Sequence, residues 1–177
     1  MIIRKETPAD IAAIHEVNEL AFGQPAEANL VDALRTAAEP FISLVAEDKG
    51  KIVGHICFTP VTVEDRQSCL SGQAGLPVPH VAGLAPMAVL PERQREGIGS
   101  LLVTAGIEKC RRAGFTMAVV LGHPEYYPRF GFRPASIFGL RSEYDVPDPV
   151  FMAMELSPGA AAGVEGLVRY HEAFSVV

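Results

Sequence analysis

At 177 residues, 49% of them hydrophobic, the chain has the length of one domain with a substantial core, and its composition excludes extended disorder. A formal net charge of −6 argues against nonspecific nucleic-acid binding, which requires a basic excess. Three cysteines, an odd and sparse set, do not suit a disulfide framework. No apolar run approaches the roughly 20 residues of a membrane-spanning helix, and Met1-Ile2-Ile3-Arg4-Lys5 enters a strand-like pattern with no signal-peptide core. Neither membrane nor nucleic acid is therefore expected as a partner, and the expected compartment is a reducing cytoplasm.

In chain order, Ile2 to Lys5 reads as a short strand. Thr7-Pro8-Ala9-Asp10 supplies an N-cap, a proline at the first helical position and an acidic residue in the first turn. Behind it Ile11, Ile14, Val17, Leu20 and Ala21 recur at helical spacing. A second helix is expected from about Pro25, with Leu30, Val31 and Leu34 on its buried face. Phe41 to Glu47 and Lys51 to Val63 read as strands joined by an Asp48-Lys49-Gly50 turn. Pro60 marks an edge or a bulge in the second of them. Glu64 to His80, polar and glycine-rich, is expected as a loop, and Leu84 to Leu90 as a strand. Ile98, Leu101, Leu102 and Ala105 define a helix that Gly114 caps. Strands are expected at Thr116 to Leu121 and Val150 to Leu156, with a short helical turn near Tyr126 between them. The tail, Gly163 to His171, alternates weakly and can add a final strand. The chain is expected to form a single domain over residues 1–177, with a core of about 2–156 and a tail of 157–177.

Chemistry concentrates where the strand Leu84 to Leu90 meets the following helix. Gln94-Arg95-Glu96-Gly97-Ile98-Gly99, with Ser100 after it, places backbone N–H groups at a helix N-terminus, an end that attracts phosphates. Gly97 and Gly99 carry no Cβ, so a pyrophosphate can come close to the main chain. Arg93 and Arg95 flank the loop with positive charge, as a polyanion requires. Neither a Gly-x-x-x-x-Gly-Lys-Ser/Thr loop nor a Gly-x-Gly-x-x-Gly fingerprint is present.

With these residues the chain resembles the GNAT family of N-acetyltransferases. In that family Gln/Arg-x-x-Gly-x-Gly/Ala wraps the pyrophosphate of acetyl-coenzyme A. A second, independent motif, Tyr126-Tyr127-Pro128-Arg129-Phe130-Gly131-Phe132, follows about thirty positions on and is similar to the family's tyrosine four residues before a Gly-Phe pair. Leu121-Gly122-His123-Pro124 and Arg133-Pro134 look most like its YhbS-like bacterial branch. The resemblance covers about Ile2 to Leu156. It implies an α/β fold: a mixed, mostly antiparallel central sheet, splayed between strands 4 and 5, with helices on both faces.

The resemblance also implies an N-acetyltransferase that uses acetyl-CoA as co-substrate, needs no metal, and acts by direct attack of an amine in a ternary complex. Met87, Ala88 and Val89 would pair with the pantetheine arm, and Gln94, Arg95, Glu96, Gly97, Ile98, Gly99 and Ser100 would hold the pyrophosphate. Pro86, which has no N–H, suits a local break in the strand. A main-chain N–H at or near Met87 would polarise the thioester carbonyl, and Tyr127 would donate a proton to the departing sulfur. The strand Leu84 to Leu90 lacks the glutamate that several relatives place there, so no base is assigned. Glu27, on the second helix, is the candidate for binding the acceptor amine, which can be a small molecule or a protein amine. A homodimer is compatible with the resemblance. His80, His123 and Glu125 lie in or near loops that could border the site and are expected to be structural or exposed. His55 and Cys57 share a strand face but lack two further ligands at zinc spacing. Cys57 and Cys110 read as buried small hydrophobes. Two other functions stay open: a non-catalytic acyl-CoA-binding regulatory module on the same scaffold, and an unrelated phosphate binder.

Overall fold

The computed structural model describes residues 1–64 and 80–176. The loop expected from Glu64 to His80 lies, apart from those two residues, outside them, as does Cys69. The chain divides into two compact units: Met1–Thr59 with Leu84–Lys109 and His171–Val177, and Pro60–Gly83 with Cys110–Tyr170.

The first unit begins with β1 (Ile2–Lys5) and a capped turn. The Asp10 carboxylate accepts from the Thr7 backbone N–H at 2.7 Å and from two Arg4 nitrogens at 2.7 and 2.8 Å. The Arg4 bonds hold this carboxyl well below the usual carboxylate range despite its burial. Helix α1 (Ile11–Phe22) follows and ends at Gly23, whose φ of 72° closes a left-handed cap. Helix α2 (Ala26–Ala37) starts after Pro25 and buries Leu30, Val31 and Leu34, as its spacing predicts. Strands β2 (Ile42–Asp48) and β3 (Lys51–Glu64) form an antiparallel hairpin with Asp48 opposite Lys51. Its two-residue loop sets Lys49 and Gly50 at φ of 51° and 78°, the sign that a tight hairpin needs. Strand β4 (Val81–Val89) runs without interruption through Pro86, and the first unit's strand order is β1-β2-β3-β4.

Alternation along β3 separates the helices onto opposite faces. Cys57 joins the cluster of Ile14, Val31, Leu34 and Val45, which draws on α1 and α2. Gly54 and Phe58 meet α3 (Ile98–Arg112) instead. A Cβ on Gly54 would lie 3.1 Å from Leu102 Cδ1 and 3.2 Å from Ile98 Cγ2, and one on Gly106 would lie 2.3 Å from Phe58 Cε2. The missing side chains let α3 settle directly onto β3.

Two apolar positions depart from the expected stripes. Leu20 is 50% exposed and Leu101 48% exposed, while Asn18, Val103 and Ile107 are buried. Periodicity locates an amphipathic helix, but the width of the covered face is set by what packs on it.

In the second unit β5 (Met117–Leu121) pairs antiparallel with β8 (Phe151–Glu155), and β8 with the two-residue β6 (Arg133–Pro134). The outer half of β3 pairs antiparallel with β9 (Gly166–Arg169), so the tail does add a strand. Strand β7 (Leu140–Ser142) runs parallel to β9. Neither β6 nor β7 was expected; segments of two and three residues are too short to show a period. Pro60 sits where β3 exchanges one partner, β2, for another, β9.

Candidate active site

The loop between β4 and α3 is built from backbone conformation first. Leu90 N–H donates to Val53 O at 3.0 Å and fixes the end of β4. A 3-10 turn at Pro91–Arg93 then delivers Gln94 in extended conformation. Arg95 and Gly97 both take positive φ, 66° and 85°. Such a left-handed residue costs a non-glycine roughly 1–2 kcal/mol, so Arg95 is held there by its surroundings. The first helical bond runs from Leu101 N–H to Gly97 O at 3.1 Å. The first-turn amides, those of Ile98 and Gly99 among them, therefore have no acceptor inside the helix. Among the described residues a Cβ at Gly97 would meet nothing within 4 Å, so the space beside Gly97 is open. Ile98, 1% exposed, anchors the loop into the core, and Ser100 is half-buried.

The charges around the loop are arranged differently from expectation. Arg93 Nε donates to Glu96 Oε2 at 2.8 Å, and its Nη1 donates to Asp48 Oδ2 at 3.2 Å. Its charge is matched by two carboxylates, and it serves as a strap between the loop and the β2–β3 hairpin. Arg95, exposed, has no carboxylate partner among the described residues. Gln94 lends its side chain to the scaffold, donating to Val89 O at 3.1 Å. Met87 and Val89 are half-buried on β4, whereas Ala88 is 2% exposed and its carbonyl oxygen faces Gly54. The strap was missed from the sequence, although Arg93 and Glu96 stand three positions apart; its partner Asp48 is distant along the chain.

Glu27 lies in the first turn of α2, and Gln24 Nε2 donates to both its carboxylate oxygens at 3.1 Å. The loop, Met87–Val89 and Glu27 all belong to the first unit. Tyr127 belongs to the second. It opens the 3-10 turn Tyr127–Phe130 and is 6% exposed. Tyr126 and Phe132 meet its ring edge-on, with centroids 5.1 and 5.7 Å away. Burial, with a smaller contribution from Tyr126, pushes the phenol pKa well above its ordinary value of 10.0, so the hydroxyl is a protonated, neutral donor at neutral pH.

Of the remaining candidates, His80 stacks on Phe115 at 5.1 Å. His123 and Glu125 line an open cavity of about 440 Å³ together with Pro124, Tyr126 and Arg129. His55 is fully buried and hydrogen-bonded to Asn18 and Ser43. Cys57 Sγ donates to Ala85 O at 2.9 Å; burial raises its thiol pKa and raises that of Cys110 to about 12, so both are inert as nucleophiles. Among the described residues no cluster of three His, Cys, Asp or Glu could hold a metal, and no helix is long and apolar enough to cross a membrane.

Comparison with known proteins gives this geometry a family. Residues 11–132 match the profile of the Acetyltransferase (GNAT) family. The chain is 35% identical over 178 residues to the uncharacterized N-acetyltransferase YhbS of Escherichia coli (strain K12), covering 99% of both chains. The crystal structure of YhbS from Escherichia coli in complex with CoA matches with a TM-score of 0.84 at 34% identity, over 98% of this chain and 91% of that one. A GNAT family acetyltransferase from Brucella melitensis in complex with acetyl-CoA matches with a TM-score of 0.74 at 38% identity, over 98% and 97% of the two chains. A profile match over most of the chain and relatives aligned from end to end lead to one assignment: the chain belongs to the GNAT family of acetyltransferases and has that family's fold.

Proposed function

We propose that this acetyltransferase takes its acetyl group from acetyl-CoA and passes it directly to an amine. The carrying observation is the loop before α3. Its left-handed Arg95 and Gly97, the open space at Gly97 and the first-turn amides form a cradle that suits a pyrophosphate. Two relatives that align over nearly the whole chain are structures with CoA and with acetyl-CoA.

The thioester supplies an activated acetyl carbonyl. In this reading Gly97, Ile98, Gly99 and Ser100 hold the pyrophosphate through main-chain N–H groups. Arg95 adds the unmatched positive charge, while Gln94 and Glu96 keep the loop tied to β4 and to Arg93. Met87, Ala88 and Val89 offer backbone groups to the peptide-like arm, and a main-chain N–H near Met87 stabilises negative charge on the carbonyl oxygen. Glu27, oriented by Gln24, attracts the acceptor's ammonium form. The ammonium gives one proton to solvent before its neutral nitrogen attacks the carbonyl. As the C–S bond breaks, Tyr127 donates its phenolic proton to the sulfur, which leaves as a thiol. The phenolate is reprotonated by the proton that the acylated nitrogen loses. Burial raises the Tyr127 pKa, so the phenolic proton is in place across the working pH range when the sulfur departs.

The test is thermal unfolding with acetyl-CoA, and with ATP as a control polyphosphate. At one hundred times its dissociation constant a ligand stabilises the native state by about 2.7 kcal/mol, which raises the midpoint by roughly 5–11 °C for a chain of this size. A rise with acetyl-CoA and none with ATP is expected. Equal rises with both would reduce the cradle to a general phosphate site. No rise with acetyl-CoA would remove the cofactor from the proposal.

A further inference from the structure

We infer that Gly122 is a positioning residue for the Tyr127 hydroxyl, a proposal that rests on reading Tyr127 as the group facing the leaving sulfur. Gly122 is not among the residues at positive φ, so its backbone does not demand glycine. The demand is spatial. A Cβ built on Gly122 would fall 2.2 Å from Tyr127 Cε2, 2.8 Å from Cδ2 and 3.2 Å from Cζ. The whole edge of the ring, as far as the carbon that carries the hydroxyl, occupies the place of the missing side chain.

Neither partner can move aside cheaply. Gly122 N–H donates to Val150 O at 2.9 Å, extending the β5–β8 ladder by one step beyond the Leu121–Phe151 pair. Tyr127 is buried, and Tyr126 and Phe132 stand edge-on to its ring. A methyl group at position 122 must therefore push the ring off its rotamer, and the phenol oxygen, at the far end of the lever, moves with it. A displacement near 1 Å is enough to cost on the order of 10²-fold in rate when a reacting group is misplaced. Gly106 provides an internal contrast. Its absent Cβ is filled just as tightly, 2.3 Å from Phe58 Cε2, but that ring lies in the core and bears no polar group.

The experiment compares wild type, Gly122→Ala, Tyr127→Phe, the double variant and Gly106→Ala. Each is labelled with 3-fluorotyrosine and followed by fluorine NMR, by acetyl-CoA affinity, and by release of CoA thiol from acetyl-CoA with and without a panel of simple amines. Each of the chain's four tyrosines gives one resonance, or two where a buried ring flips slowly, and Tyr127→Phe identifies the signal of interest. Gly122→Ala should shift that resonance most and lower kcat at least tenfold, with acetyl-CoA affinity within about threefold of wild type. In the Tyr127→Phe background it should lower kcat no further. Gly106→Ala should leave the Tyr127 resonance in place. An unmoved Tyr127 resonance in Gly122→Ala would overturn the inference. So would a kcat loss of equal size with and without the Tyr127 hydroxyl. If Tyr127→Phe itself keeps full kcat, the reading of Tyr127 fails and the inference falls with it. If Tyr127→Phe loses activity while Gly122→Ala does not, only the role of Gly122 is lost.

Discussion

The ring of His55 lies with Nε2 3.0 Å from Ser43 Oγ, both side chains buried. The surroundings fix its proton. Asn18 Nδ2 donates to Ile14 O at 2.8 Å and lies 3.1 Å from His55 Nδ1, which therefore accepts. The hydrogen is then on Nε2 and is donated to Ser43, whose own hydroxyl donates to Glu6. Arg35 holds Glu6 through Nε at 2.7 Å and Asp32 through Nη1 at 2.6 Å. Burial, helped by the positive charge of Arg35, lowers the His55 pKa to about 3.

A pH dependence follows. The unfolded chain binds a proton at His55 below the ordinary value of 6.5, and the folded chain refuses it down to about 3. The neutral ring's contribution is thus complete above 6.5 and is lost as the pH falls. The slope is about 1.4 kcal/mol per pH unit, or about 2 kcal/mol between pH 7 and pH 5. Urea unfolding at the two pH values measures this. His55→Gln should be less stable at pH 7 and should lose most of that slope; a variant that keeps the slope would place its source elsewhere.

At Gly97 a side chain meets open space but a forbidden backbone. Gly97→Val should cost roughly 1–2 kcal/mol of stability and abolish acetyl-CoA binding by filling the cradle. Calorimetry of the folded variant checks both. Arg95→Asn keeps a residue that tolerates positive φ and removes the charge. It should preserve the thermal midpoint and weaken acetyl-CoA binding about tenfold; unchanged affinity would exclude Arg95 from the phosphate site.

Tyr127→Phe should lower turnover by about 10²–10⁴-fold, the range of a single acid–base group, with acetyl-CoA affinity nearly intact. Because burial raises its phenol pKa, ionisation of Tyr127 should add no alkaline limb to the rate profile below pH 10. A fall in rate between pH 8 and pH 10 that disappears in Tyr127→Phe would contradict the raised pKa.

The Arg93 strap makes a separate prediction about charge. Glu96→Gln removes a carboxylate from the loop and leaves Arg93 bonded to Asp48. The pair is partly exposed and contributes little to stability, so the melting midpoint should hardly move. Acetyl-CoA should bind a few-fold more tightly at low ionic strength, and the gain should fade in about 1 M salt, where the screening length shrinks to about 3 Å. Weaker binding would instead show that the strap itself shapes the cradle.

What the sequence disclosed depended on how local the physics is. Leu30, Val31 and Leu34 announced α2 because one turn of helix brings them together. Gln94 to Gly99 announced the loop because its conformation is written in its own glycines. The buried chain from Asn18 through His55 and Ser43 to Glu6 was illegible, since it joins residues from separate elements far apart in sequence. Gly122 stands in the sequence only as one position of the Leu121-Gly122-His123-Pro124 motif. Its role depends on a turn folding a ring back over it, and no spacing rule reports that. Leu20 and Leu101 misled because an apolar residue in register with a stripe need not be covered.

All four tyrosines, Tyr126, Tyr127, Tyr144 and Tyr170, fall in the second compact unit, and the chain has no tryptophan. Intrinsic ultraviolet emission therefore arises from that unit. Helices α1 and α2 and most of α3, which dominate the far-ultraviolet ellipticity, belong to the first. Each half of the chain thus has its own optical channel without any label. Superimposable melting curves in the two channels would mean one cooperative transition; separated curves would rank the halves by stability.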